Sequence, residues 1–336
     1  MRIATIVLSW NAADAVIECL ESLYRQSIPI EILVVDNASC DEVVTCIIAR
    51  YPNVSLIRNQ RNLGFAGGMN SGIRAVLNDS PLPDVLVLLN QDTVLDPTCI
   101  EHLVSPMIAD AQVAAVGAKI RYPGGTIQHA GVYLEWPRAI VQHIGWHEPD
   151  TGQYDTLREC EFVTGAAIAL RAQALKEIQL FDEDFTPAYF EDIDLCQRLR
   201  KQGWKIVYNP AATLVHYESL SLPDELQRSC YYNRSRLRFV FKHYSLNDLE
   251  DSFLPEELHH IQRHVLWPNE GRALRWAYAE TLLRWQTILI ARQHVYGSLS
   301  PLEEERLGHI LMKLQRAQAI ALWQHAHQRA DWMFDH

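Results

Sequence analysis

The sequence predicts an α/β protein: an open, mostly parallel sheet flanked by helices, followed by a helical C-terminal region. Three observations carry this prediction. Over the first 120 residues, short β-branched apolar runs alternate with helical patterns. From about 120 to 220 the pattern is mixed. After Leu222-Pro223 only helical periodicity remains.

The strand candidates come first. Residues 3–8, 30–35, 54–57, 85–89 and 113–116 are nearly continuous apolar runs, as expected of strands buried on both faces of a parallel sheet. Between them, Val16, Leu20 and Leu23 recur at i, i+4, i+7 behind an Asp14 cap. Residues 41–50 and 68–77 fit the same helical role. Pro123-Gly124-Gly125 marks a turn. Residues 131–134, 161–164, 205–208 and 213–217 read as shorter strands, and 191–202 as a helix ended by Gly203. A Tyr- and Arg-rich helix then runs to about Tyr244, with amphipathic segments near 255–266, 271–293 and 301–333. The expected division is 1–223, in halves 1–120 and 121–223, with 224–336 as a helical appendage.

Composition narrows the function classes. The chain has 336 residues, 48% of them hydrophobic and 21% charged, which is ordinary for a globular protein that needs no staples. Forty-one acids against 30 bases give a net charge of −11, so a nucleic-acid partner is not expected. Small anionic ligands stay open, because a local basic patch or a metal can hold them. Seven cysteines without a C-x-x-C pair read as reduced thiols of a cytosolic protein. The apolar run at the N-terminus is too short for a signal segment, and no run of about 18 apolar residues suggests a membrane span.

Ligands of open α/β sheets sit beyond the carboxyl ends of the strands, so the residues there carry the chemistry. The first run ends in Ser9-Trp10-Asn11 and the second in Asp36-Asn37-Ala38-Ser39. Asp36 and Asn37 suit a base N–H and a ribose hydroxyl, or simply cap a turn. In Asn62-Leu63-Gly64-Phe65-Ala66-Gly67-Gly68-Met69-Asn70, three glycines either bring backbone N–H groups to a phosphate or form a turn. Asn90-Gln91-Asp92 puts Asn90 and Asp92 on one side of a strand end. That oxygen pair suits Mg²⁺ or Mn²⁺ shared with substrate phosphates, or a turn. Glu191, Asp192 and Asp194 cluster at a helix start, where they complement the dipole or supply a general base. His216 closes an apolar run before Tyr217-Glu218-Ser219, either as a structural imidazole or as a metal ligand.

In this order the segments resemble the family 2 glycosyltransferases, especially the rhamnosyltransferase-like branch with a GT-A fold. The stretches that carry the resemblance are Ser9-Trp10-Asn11, Val35-Asp36-Asn37-Ala38-Ser39, residues 62–70, Asn90-Gln91-Asp92, Gly165-Ala166, residues 190–194 and His216. The resemblance implies an inverting transfer from a dTDP- or UDP-sugar, dTDP-rhamnose among them, to a hydroxyl of a glycan or lipid-linked acceptor. It implies Mg²⁺ or Mn²⁺ as cofactor and a role in cell-envelope polysaccharide synthesis. Asp36 would face the pyrimidine, with Asn37 and the backbone near Ser9 and Asn11 completing the nucleoside pocket. Asn62, Gly64, Phe65, Gly68 and Asn70 would lie beside the ribose and diphosphate, and Asn90, Gln91, Gly165 and Ala166 would complete the donor site. Asp92 and His216 would hold the metal. Asp192 would be the base, with Glu191 touching sugar or acceptor.

Two departures qualify the resemblance. The family's metal motif is commonly Asp-x-Asp, and Asn90 replaces its first carboxylate. The processive Gln-x-x-Arg-Trp motif is missing, since Arg272 and Thr281 precede Arg275-Trp276 and Arg284-Trp285. Single-sugar transfer is therefore expected.

In the helical region, aromatics interleave with Arg228, Arg234, Arg236, Arg238 and Lys242. This segment reads as a basic wall toward a diphosphate, with Arg234 in the donor site, as an interfacial membrane helix, or as a helix with inward aromatics and solvated arginines. His259, His260, His264, His294, His309, His325, His327 and His336 match no compact metal spacing and read as a solvated face. A cytoplasmic location follows, with peripheral membrane association and a homodimer through the helices left open. The alternatives are a nucleotidyltransferase, whose basic Gly-rich loop after the first strand is lacking, and a degenerate nucleotide-sugar-binding scaffold.

Overall fold

A computed structural model describes residues 1–218, 224–264 and 266–334, with side chains described through residue 324. Ser219, the Leu222-Pro223 boundary and the side chains of His325, His327 and His336 lie outside the described residues. The chain divides into two compact units: Met1–Tyr133 with Val141–Ser221, and Leu134–Ile140 with Leu222–His336.

The first unit opens with β1 (Ile3–Ser9), α1 (Ala13–Leu23), β2 (Glu31–Asp36), α2 (Val43–Arg50), β3 (Ser55–Arg58), α3 (Gly64–Leu77) and β4 (Val85–Asn90). It continues through β5 (Thr93–Leu95), α4 (Cys99–Ala109), β6 (Val113–Arg121) and β7 (Ile127–His129). A two-stranded pair follows, β8 (Val132–Glu135) and β9 (Ile140–His143), of which Leu134, Glu135 and Ile140 count with the second unit, and then β10 (Arg158–Glu159) and β11 (Ala167–Arg171). The unit closes with α5 (Ala172–Ile178), α6 (Glu191–Lys201) and β12 (Lys205–His216). Its main sheet runs β10-β12-β6-β11-β4-β1-β2-β3, with β5 on β12 and β7 on β6. β3, β2, β1 and β4 are mutually parallel, as are β6 and β12, whereas β11 runs antiparallel between β4 and β6. Ile6, Val7, Val34, Val87, Leu88 and Leu89 are fully buried, so both faces of the central strands are covered.

The differences from the sequence reading have local causes. α1 has Ala12 at its N-cap, and Asp14 sits in the first turn without capping it. α3 starts at Gly64, so the glycine segment lies inside the helix rather than before it. No strand covers 161–164; Phe162 makes only an isolated bridge to Val132, and the strand lies at Ala167–Arg171. The two expected strands at 205–208 and 213–217 are one strand with a register shift between Asn209 and Thr213, at the point where Pro210 cannot donate to the ladder. α4 went unanticipated because Pro106 interrupts its pattern from inside.

The second unit contains α7 (Glu225–His243), a π-helical turn at Asp248–Phe253, α8 (Leu254–His264), α9 (Glu270–Leu283), α10 (Trp285–Tyr296) and α11 (Pro301–Phe334). The expected helix 271–293 is thus two helices, broken at Arg284. α7 packs on α9 and α10. Its Arg234, Arg236, Arg238 and Lys242 are all buried. That corrects both the interfacial-helix reading, which needs an exposed basic face, and the solvated-arginine reading. Arg236 and Arg138 converge on the buried Glu257, which also accepts from the Tyr278 hydroxyl. Burial opposes ionisation of Glu257, yet the Arg236 charge outweighs it and holds the carboxyl at about 2. Among the described residues no helix is long and apolar enough to cross a membrane.

Candidate active site

The strand directions gather one edge. β1, β2, β3, β4, β6 and β12 all end there, and the antiparallel β11 begins there, bringing Gly165-Ala166 beside the ends of the others. Left-handed φ values occur at Asn11 (48°), Ala38 (64°), Tyr189 (79°), Phe190 (70°) and Glu218 (48°), each next to a strand end or helix start of this edge. Such a conformation costs a non-glycine residue about 1 kcal/mol or more and concentrates where a ligand must be met.

The nucleoside-side residues form a tight frame. Asp36 is fully buried; its Oδ1 accepts from the Ser39 N–H at 3.0 Å. Arg58 Nε stands 3.1 Å from Oδ2, an ion pair without hydrogen-bond geometry, so this buried oxygen accepts no hydrogen bond among the described residues. A buried carboxylate oxygen in that state is an open acceptor for a ligand N–H. Asn11 donates its N–H to Ser39 Oγ at 3.0 Å and accepts from the Cys40 N–H at 2.8 Å, tying the end of β1 to the turn after β2.

Several residues expected to touch the donor are instead engaged with the protein. Gln91 Oε1 accepts from Ser9 Oγ and the Trp10 N–H, and its Nε2 donates to the Trp10 carbonyl, so Gln91 and Ser9 fix the end of β1. Asn37 donates to Asn62 Oδ1 and the Gly64 carbonyl while accepting from Asn59 and the Leu63 N–H. Asn70 is buried and clamps Phe181 from both sides of its amide, donating also to Glu183 at 2.9 Å. These hydrogen bonds give Asn37 and Asn70 a scaffolding role within the protein.

The phosphate-cradle reading of residues 62–70 is corrected in the same way. The N–H groups of Leu63, Gly64 and Phe65 donate to Asn37, Asn62 and the Pro187 carbonyl, so the donors at the start of α3 are taken. The glycines serve close packing instead. A Cβ on Gly68 would stand 2.5 Å from Leu8 Cδ1, and one on Gly64, at φ +71°, would meet Thr186 Oγ1 at 2.5 Å.

At the end of β4 the expected metal residues do come together. His216 Nε2 lies 3.1 Å from Asp92 Oδ1 and 3.3 Å from Asn90 Nδ2. Asp92 and His216 are buried. The other ring nitrogen, Nδ1, is 2.7 Å from Gln128 Oε1, and Gln128 Nε2 donates to Glu218 at 3.2 Å. Because a carboxylate only accepts, Glu218 orients the Gln128 amide with its oxygen toward the ring. The neutral ring then carries its proton on Nδ1 and turns the Nε2 lone pair toward Asp92. With its proton on Nδ1, the ring offers Nε2 to the Asn90 amide N–H at 3.3 Å and sets it beside the Asp92 carboxylate oxygen, and an imidazole nitrogen next to a carboxylate oxygen is a donor set that suits a divalent cation.

Asp192 stands at the start of α6. The Gly165 N–H donates to its Oδ2 at 2.7 Å and the Ile193 N–H to its Oδ1 at 2.8 Å. Burial raises its carboxyl above the ordinary value, and the backbone N–H groups of Gly165 and Ile193 offset part of that. A Cβ on Gly165 would meet Phe65 Cζ at 3.0 Å and Asp192 Cβ at 3.4 Å, so Phe65 and Asp192 flank this glycine. The three acids separate by environment. Asp192 is half-buried, Glu191 is buried, and Asp194 is fully buried in an i,i+4 pair with Arg198 at 2.8 Å. Asp192 alone of the three is open enough to receive a proton from outside.

Arg234 belongs to the second unit, where its guanidinium lies over the rings of Tyr231 (5.4 Å) and Trp276 (5.9 Å). Burial lowers its pKa to about 10. The sequence reading missed Gln128, Glu218 and Glu183. Each acts through another residue and lies in no motif, so only the fold reveals them.

Comparison with known proteins bears on the family and the fold. The family model described as "Glycosyltransferase like family 2" matches residues 1–231. The N-acetylglucosaminyl-diphospho-decaprenol L-rhamnosyltransferase of Mycobacterium tuberculosis is 28% identical over 219 residues, covering 57% of this chain and 68% of that protein. The O-antigen biosynthesis protein RfbC of Myxococcus xanthus is 34% identical over 145 residues, 41% of this chain and 11% of that protein. Among solved structures, GalNAc-T7 with UDP, GalNAc and Mn²⁺ superposes with a TM-score of 0.59 at 14% identity, covering 85% of this chain and 57% of the other. The mannosyltransferase PcManGT of Pyrobaculum calidifontis, in complex with GDP-Man and Mn²⁺, gives 0.50 at 16% identity over 96% and 87%. The fold is GT-A, and these likenesses bear on the fold alone.

Proposed function

The chain belongs to glycosyltransferase family 2, and from that premise we propose that it transfers a single sugar, with inversion, from a dTDP- or UDP-sugar to a hydroxyl of a glycan or lipid-linked acceptor. Family membership sets aside the nucleotidyltransferase alternative. The observation that carries the reading is the shared edge, with the Asp92–His216 acceptor pair at the end of β4 and Asp192 at the start of α6.

The residues divide the work. Asp36 Oδ2 accepts the N–H of the pyrimidine, and Asn11 with the Gln91-braced end of β1 walls the nucleoside. Asp92 and His216 would hold Mg²⁺ or Mn²⁺, which when bound neutralises charge on the diphosphate leaving group, with the Asn90 amide beside them. Gly165 and Ile193 hold both oxygens of Asp192, and a carboxylate oxygen that accepts one N–H keeps a second lone pair for an acceptor hydroxyl. An acceptor oxygen bonds to the anomeric carbon from the face opposite the diphosphate, and the carbon–oxygen bond to the diphosphate breaks. The acceptor proton passes to Asp192, leaving a nucleoside diphosphate and an inverted glycoside. Glu191, next to the base, bounds the sugar or acceptor pocket.

The name of the mycobacterial relative supports an L-rhamnosyl donor and a diphospholipid-linked acceptor. The test is a panel of dTDP-, UDP- and GDP-sugars screened by thermal shift with Mn²⁺, because a tight donor raises Tm by mass action. dTDP-rhamnose is expected to stabilise most. Equal stabilisation by GDP-sugars would overturn the pyrimidine assignment of Asp36.

A further inference from the structure

The second unit contains a cluster that the sugar-transfer reading does not use. His260 and His264 lie four residues apart in the last turns of α8, on one face. Glu270, which opens α9, comes back to that face, with its Oε1 2.8 Å from His260 Nε2. The rings of His260 and His264 stack with centroids 4.1 Å apart. One ligand atom from each of the three residues lies within 4.8 Å of the others.

We propose that His260, His264 and Glu270 form a second metal site, built wholly from the helical unit, for a first-row transition-metal ion of the Zn²⁺ class.

Four features argue for it. Two imidazoles and one carboxylate are a donor set that suits Zn²⁺, Co²⁺ or Ni²⁺ and is poorly matched to Mg²⁺. His264 Nδ1 donates to the His260 carbonyl at 3.0 Å, which fixes the tautomer and leaves the Nε2 lone pair available. The Trp267 ring packs against His264 at 4.4 Å, limiting the swing of that ligand. The histidines also occupy the carboxyl end of α8, where the helix dipole favours a cation. Tetrahedral zinc with bonds of about 2.1 Å needs ligand atoms about 3.4 Å apart, so small side-chain rotations complete the site. All three residues are half-buried, reachable by an ion yet held by their neighbours. Arg138 and Arg236 oppose a cation here, and the buried Glu257 between them counters that charge. A bound ion would join the end of α8 to the start of α9, with the fourth position left to water. The sequence reading of these histidines as a solvated face passed over the pair, because its third partner, Glu270, comes from the next helix.

Zinc titration of the tag-free, EDTA-treated full chain by calorimetry tests this, read together with Tm. Wild type and Asp92→Ala should each bind a zinc equivalent and gain Tm with zinc. His264→Gln should bind that equivalent more than about 10-fold more weakly and lose the Tm gain. Glu270→Gln should behave as His264→Gln does and serves if the histidine variant is unstable without metal. Zinc binding by His264→Gln and Glu270→Gln equal to wild type would overturn the proposal. So would loss of all zinc binding in Asp92→Ala, which would place the ion at the Asp92–His216 pair instead. Neither readout depends on sugar transfer.

Discussion

His216 Nε2 and Asp92 Oδ1 face each other across 3.1 Å, while the far side of the imidazole is held by Gln128 at 2.7 Å. The chain Glu218–Gln128–His216–Asp92 therefore fixes a tautomer as well as a position. Asn90, where the family often has a carboxylate, contributes an amide to the same point, 3.3 Å from the ring.

It follows that Gln128→Leu should weaken Mn²⁺ binding by about 10–100-fold, because the ring loses the partner that sets its tautomer. Asp92→Ala should weaken it further. Calorimetry with Mn²⁺ and nucleoside diphosphate checks both. Unchanged affinity in Gln128→Leu would remove Gln128 from the site.

Asp192 gives a pH prediction with a definite sign. Its carboxyl is raised by burial above the ordinary 3.8, and a base must be ionised to act. The acid limb of kcat/KM should therefore fall at a pH above that ordinary value. Asp192→Asn should lower kcat by about 10²–10⁴-fold with little change in donor affinity. An Asn variant of near wild-type rate would sink the assignment.

Stability should also depend on pH. His129 and His143 are both lowered, first by burial, and their Nδ1 atoms lie 3.1 Å apart. Below the ordinary imidazole value of 6.5 the unfolded chain takes up protons that the folded pair resists. Folding free energy present above that pH is thus lost as the pH falls through it. Tm should drop between pH 7.5 and 5, and His143→Gln should flatten the slope. A variant with the wild-type slope would assign the acid sensitivity elsewhere.

Gly68 separates packing from phosphate binding. An added Cβ meets Leu8 Cδ1 at 2.5 Å, so Gly68→Ala should destabilise the fold by about 1–3 kcal/mol in urea unfolding. A stable variant with weakened donor binding would restore the phosphate-cradle reading.

Much of this architecture was legible because both-face burial writes nearly continuous apolar runs: β1, β2, β3 and β4 fall within a residue or so of the expected positions. The direction of β11 was not legible, since an antiparallel strand in a parallel sheet leaves the same apolar signature. Asp36, Asp92, Asp192 and His216 were singled out because strand ends and helix starts are where open sheets bind ligands, and the fold brings them to one edge. The intramolecular partners of Asn37, Asn70 and Gln91 were not legible for a related reason. An amide at such an edge can serve ligand or loop, and only its partners decide. The His260–Glu270 contact needed the turn between two helices, which no spacing rule supplies.

Sugar transfer assisted by a divalent cation at the Asp92–His216 pair requires that metal removal stop donor turnover. Release of nucleoside diphosphate from dTDP- and UDP-sugars, followed with Mn²⁺, after EDTA and after Mn²⁺ is restored, tests it most directly. The expected result is slow catalytic release from one donor that stops with EDTA, returns with Mn²⁺ and is absent in Asp92→Ala. Release that continues unchanged in EDTA, or in Asp92→Ala, would contradict the account.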